Sequence, residues 1–246
     1  MRFLTAIRVE LYKIRKTNMW MLFFISPLLV GIFSYLHTQD FLQEDPTNSI
    51  DWIGFYAWLI PFHGMLLLPL LAGILSALIC RYEHTDGGWK QLLVQPVYKH
   101  EVYLVKFFLV SMMIAFIQLL ILLTTVLVGN MLDISGSIPF LQLLKHLAAG
   151  WIATLPLIAL QMWVSSIWTN FAAPMALNVV VTLPTIIIAQ SEQYGPYYPW
   201  AQPMISMMPN ESNNLFASTE TLIFVIGGSF LLFFIGGLTT FTRKIY

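Results

Sequence analysis

Six stretches of this chain carry no Lys, Arg, Asp or Glu in their central turns: residues 19–36, 55–79, 104–128, 143–168, 171–189 and 222–240. A bilayer's hydrocarbon core is about 30 Å thick and takes about 20 apolar residues of helix. Only helices and closed barrels satisfy their backbone polar groups there. The pattern therefore predicts an all-α, polytopic membrane protein with six transmembrane helices. These stretches take up more than half of the 246 residues, and the longest connection, 190–221, is too short for a separate domain. Residues 1–246 read as a single transmembrane domain. The first stretch is longer than a signal-peptide core and Tyr35-Leu36-His37 is a poor cleavage site, so it reads as a retained span.

The charges agree with that reading. Charged residues make up 10% of the chain, against about 25% in an ordinary soluble domain. Hydrophobic residues make up 58% and the formal net charge is zero, which argues against a soluble domain, a disordered chain or a nucleic-acid binder. The lone cysteine, Cys80, excludes an internal disulfide framework and a CxxC metal site. Cytoplasmic loops of membrane proteins collect Lys and Arg. With six spans, every basic cluster falls on one face: Arg2 to Lys16, Arg81 to Lys106, and Arg243-Lys244. The base-free loops with Asp40, Glu44, Asp45 and Asp51, and with Glu192, Glu211 and Glu220, fall on the other. The expectation is cytoplasmic N- and C-termini. A basic inner face and an acidic outer face sum to zero, and an acidic outer face attracts cationic solutes. Lys106 and Lys145 lie near span ends, where their stems can snorkel to the interface.

Two segments outside the spans have helical patterns of their own. Residues 1–18 predict an amphipathic helix lying in the interface, with Phe3, Leu4, Ile7, Leu11 and Ile14 on the apolar stripe. Glu10, Lys13 and Arg15 lie on this helix. In the loop 81–103, Thr85 or Asp86 can cap a short helix that Pro96 must end by Gln95. Trp89, Leu92 and Leu93 stand at i, i+3 and i+4 and share one face. A helix this short needs a surface to pack on. That surface is either the protein's own span ends or a groove on a separate protein, with Glu83, His84 and Asp86 placed for charge-assisted contacts.

These features in this order resemble the ABC-2-type permeases (type V ABC exporters), most closely the permease subunits of lantibiotic-immunity transporters. The resemblance runs along nearly the whole chain. It rests on a basic elbow with Glu10-Leu11-Tyr12-Lys13, on six spans, and on Glu83, Gly88, Lys90, Leu92, Leu93, Pro96 and Lys106 after the second span. Tyr197-Tyr198-Pro199-Trp200 fits the lantibiotic-immunity branch. The resemblance implies that 81–103 is a coupling helix docking on an ATPase, and that 190–221 forms short re-entrant helices closing the outside. It also implies ATPase subunits, two copies, that carry ATP and Mg, with no cofactor on this chain. A second permease chain, identical or homologous, would complete a bacterial cell-membrane exporter of an amphipathic peptide.

Other chemistry is missing. There is no GxxxxGK[ST] phosphate loop and no HExxH site, and no two of the five histidines stand at i, i+4. No catalytic residue and no metal ligand set is assigned. Paired carboxylates within the spans, expected of a membrane protease or proton-coupled carrier, are missing as well. His63, Gln118, Gln161 and Asn178 lie within spans. Such groups serve interhelical hydrogen bonding or line a weakly polar translocation path. Gly227-Gly228 and Gly236-Gly237 are expected to allow close helix packing. The function expected is export of a lantibiotic-like peptide for self-immunity. The alternatives are an ABC-2-type exporter of lipid-like or drug cargo, a membrane protein that sequesters peptide without transport, or a membrane-embedded enzyme independent of ATP.

Overall fold

The computed structural model describes residues 3–44, 49–84, 88–89, 98–209 and 219–244. Among them every regular element is helical. Helix α1 spans Phe3–Lys16, and a 3-10 turn, Asn18–Met21, leads into α2, Leu22–Glu44. Helix α3, Trp52–Phe62, passes through a π-helical turn, His63–Leu67, into α4, Leu68–His84. Then come α5, Lys99–Met131, and α6, Phe140–Ile167. Helices α7, Ala172–Thr182, and α8, Thr185–Ile188, precede a 3-10 turn at Gly195–Tyr197. Helix α9 is Gln202–Met207, and α10 is Thr219–Arg243.

Five helical stretches are long and apolar enough to cross a membrane: Asn18–Glu44, Trp52–His84, Lys99–Met131, Phe140–Ile167 and Glu220–Arg243. The stretch expected as a fifth span, 171–189, is the shorter apolar Ala172–Ile188. Pro184 interrupts it, because proline has no N–H to continue the ladder. The second stretch is also longer than expected and is divided by its π turn. That turn follows Pro61 inside α3, the kind of site where a helix ladder shifts register.

Helix α6 is the hub, packing against α4, α5, α9 and α10, while α2 lies along α5 and α7 along α4. The core runs between these helices through Tyr56, Leu59, Leu75, Ile114, Leu143 and Ile158, all at most 1% exposed. Glycine decides two approaches. A Cβ on Gly73 would sit 2.0 Å from Asn178 Nδ2, and one on Gly150 would sit 2.3 Å from Met207 Cγ. Of the two glycine pairs expected to pack closely, Gly236-Gly237 does so against Trp163 and Tyr103. At Gly227-Gly228 nothing among the described residues lies within 4 Å of a Cβ built there.

At the end of the bundle where α3 begins, Asp51 caps that helix by accepting a hydrogen bond from the Gly54 N–H at 2.9 Å. Trp52 packs over Gly129 of α5 and donates through Nε1 to the Gly136 carbonyl at 3.2 Å. Gly136 itself adopts φ +93°, a left-handed conformation that suits glycine.

Candidate functional site

At the opposite end, four charged side chains from three elements converge. Lys106, about two turns into α5, is 1% exposed. Its Nζ donates to Glu10 Oε2 of α1 at 2.8 Å, to Glu83 Oε1 at the foot of α4 at 3.1 Å, and to the Ile79 carbonyl at 3.2 Å. Lys13 Nζ closes the ring, donating to Glu10 Oε1 at 3.0 Å and Glu83 Oε1 at 2.5 Å. Both carboxylate side chains are at most 7% exposed, while that of Lys13 is 30% exposed. Two acids and two bases make the cluster neutral, and each buried charge has oppositely charged partners, which is the condition for burying charge at all.

Two sequence expectations are corrected here. Lys106 does not snorkel outward; it turns into the bundle because two carboxylates and a carbonyl meet it there. The packed face of α1 runs through Ile7, Glu10 and Ile14, while Leu11 is 48% exposed. Glu10 occupies the inner stripe because Lys106 and Lys13 neutralise it. Its spacing of three from Lys13 is the signal in the sequence.

The cluster sits at the root of the segment 85–97. His84 faces the Ser165 carbonyl through Nε2 at 2.8 Å. A carbonyl only accepts, so Nε2 carries the proton and Nδ1 accepts from Trp89 Nε1 at 3.3 Å. Trp89 is 4% exposed; its ring lies 5.1 Å from that of Phe241 and 5.8 Å from Lys106 Nζ. Gly88 and Trp89 are helical. Glu83, His84 and Trp89, expected to meet another protein, all have partners within this chain. Asp86, Lys90, Leu92, Leu93 and Pro96 lie outside the described residues. Lys244 Nζ donates to the Ser166 and Ile167 carbonyls at 3.3 and 3.0 Å, tying the end of α10 to the end of α6. Burial pulls its ammonium below the usual lysine range. Arg15, the third residue expected on α1, is exposed.

The four polar residues expected within the spans, His63, Gln118, Gln161 and Asn178, are all buried. In the π turn, His63 accepts at Nδ1 from Ser26 Oγ at 2.7 Å and donates from Nε2 to Gln118 Oε1 at 3.0 Å. Gln118 in turn donates to Met207 Sδ at 3.5 Å. The chain Ser26, His63, Gln118, Met207 thus runs in one direction through α2, the π turn, α5 and α9. Gln161 donates to the Pro174 carbonyl at 2.8 Å. Asn178 donates to the Pro69 and Leu70 carbonyls at 3.4 and 3.2 Å, groups it can approach because Gly73 has no side chain to cover them. Each of the four joins elements that the chain separates. Tyr198, beyond the spans, donates to the Val181 carbonyl, and burial raises its phenol above the usual range. Among the described residues no three His, Cys, Asp or Glu side chains gather as a metal site.

A bundle of long apolar helices, fastened at one end by a buried charge cluster and stitched within by hydrogen bonds, defines a polytopic helical membrane protein. A family model described as ABC-2 family transporter protein matches residues 6–185, from within α1 to the start of α8, and the chain belongs to that family. It is therefore a transport subunit rather than an enzyme. No curated protein sequence matches the chain.

Proposed function

We propose that this chain is the permease subunit of an exporter whose power comes from separate ATPase subunits, two copies, each carrying ATP and Mg. The observation that carries this reading is the Glu10, Lys13, Glu83, Lys106 cluster. It joins α1 and α5 to the last turn of α4, at the root of segment 85–97. A push on that segment reaches Glu83 first and through Lys106 moves α1 and α5 with it. Packed, fully paired clusters transmit such a push because they have few alternative arrangements. Docking then falls to Asp86, Lys90, Leu92 and Leu93, with Pro96 ending the helix, while Glu83, His84 and Trp89 anchor it.

In this reading α1 is the interfacial elbow, both termini are cytoplasmic, and the protein lies in a bacterial cell membrane. The short helices of 190–221, α9 among them, close the outer side. A second permease chain, identical or homologous, covers part of the exposed apolar surface. The cargo is an amphipathic, lantibiotic-like antimicrobial peptide removed from the membrane, which gives self-protection. The test is co-purification with the partner ATPase subunit. Leu93→Asp should abolish the complex while leaving the permease folded. An unaltered complex in that variant removes the docking assignment.

A further inference from the structure

A cavity of about 610 Å³ opens at the end of the bundle away from the charge cluster, between α6, α9 and α10. Its polar rim stands on one face of α6, where Gln142, Lys145 and His146 follow at helical spacing. Ile152 lies about 10 Å further along the same face. Ile205 and Met208, in and just after α9, close the floor, and Leu222 and Ile226 of α10 form the far wall.

Three observations say what fits. Lys145 is exposed and makes no ion pair among the described residues, whereas Lys13 and Lys106 are both paired. His146 is held at the rim with its ring 5.9 Å from that of Tyr56. The wall at α10 belongs to a helix whose apolar stretch is only 6% buried, with Ile223 65% and Phe224 78% exposed, so the cavity is flanked by a surface made for hydrocarbon. A base at the mouth and an apolar floor about 10 Å deep suit a molecule with an anionic head and a hydrocarbon tail. A cationic peptide would meet Lys145 as a like charge.

We propose that this cavity is a binding site for an anionic membrane phospholipid. The phosphate pairs with Lys145, beside Gln142 and His146, and one acyl chain lies along Ile152, Ile205 and Ile226. A lipid so placed touches α6, α9 and α10 together and stabilises the seating of α9, as any ligand that binds only the packed state does. The assignment is independent of the cargo.

Purified protein from vesicles containing equal phosphatidylglycerol and phosphatidylcholine is examined by native mass spectrometry for retained lipid. The wild type is expected to retain phosphatidylglycerol with a preference of about tenfold, the scale of one charge-assisted contact. Lys145→Glu should remove the preference and Lys145→Arg should keep it. Ala149→Phe, which fills the cavity from α6, should lower retention of both lipids. Arg8→Glu, the same charge reversal at an exposed position on α1, should change nothing. No preference in the wild type, a preference that survives Lys145→Glu, or an equal loss in Arg8→Glu overturns the proposal. So does a lipid-free second copy of the chain that Ala149→Phe dislodges. Elution volume on gel filtration reports that each variant is folded.

Discussion

Replacing Lys106 with methionine removes one charge from a neutral cluster and leaves Glu10 and Glu83 to share Lys13. The lost contacts are two carboxylate bonds of 2.8 and 3.1 Å and one carbonyl bond of 3.2 Å, from a side chain 1% exposed. Breaking a buried ion pair from one side costs about 3–5 kcal/mol, because the partner charge stays buried. Lys13 still reaches both carboxylates and is itself partly solvated, so the lower end applies, about 3 kcal/mol. Cys80 makes this measurable. It is the single cysteine, 1% exposed, and adjoins Ile79, whose carbonyl accepts from Lys106. Where opening is fast relative to reaction, labelling by a maleimide dye tracks the population of the opened state. About 3 kcal/mol then corresponds to labelling faster by about a hundredfold. Adding Glu83→Gln leaves Glu10 paired with Lys13 and restores neutrality, so the double variant should label within about tenfold of the wild type. Labelling of Lys106→Met within about threefold of the wild type, or a double variant worse than the single, would mean that Lys106 does not hold the buried cluster together.

Three further outcomes follow from the packing. Gly73→Ala drives a methyl group into Asn178 and should cost about 1–3 kcal/mol by unseating its hydrogen bonds; Asn178→Ala added to it should recover part of that loss, read by Cys80 labelling. Gly150→Val pushes against Met207 and should lift α9, raising the maleimide reactivity of a Ser206→Cys reporter in a Cys80→Ala background. His63→Ala and Gln118→Leu break the same hydrogen-bond chain, so each should destabilise by about 1–2 kcal/mol and the pair by less than the sum, measured by thermal unfolding in detergent.

The long spans are legible in the sequence because charge exclusion over about 20 residues matches the thickness of a bilayer and little else. The polar residues within spans and the close packing of Gly236-Gly237 are legible for a similar reason: polar or small residues in an apolar helix need a partner or a purpose. The place of Lys106 is not legible, because the snorkelling rule reads distance from a span end and cannot see carboxylates arriving from α1 and α4. The pattern puts Leu11 on the buried stripe because hydrophobicity cannot count a neutralised Glu10 as an inward residue. The π turn at His63–Leu67 leaves no mark beyond Pro61, since register shifts are set by what packs around them. The seating of α9 depends on Gly64 and Gly150, far away in sequence, and nothing local announces it.

In the proposed mechanism an ATPase drives transport through the cluster at the root of segment 85–97. Uptake of a labelled amphipathic cationic peptide into inverted vesicles carrying the complete complex tests it most directly, with ATP hydrolysis measured in the same sample. The expected result is ATP-dependent uptake in the wild type, and continued hydrolysis with uptake abolished in a Lys106→Met complex that still holds its ATPase. Uptake that proceeds equally without ATP, or that is unchanged in the Lys106→Met complex, contradicts it.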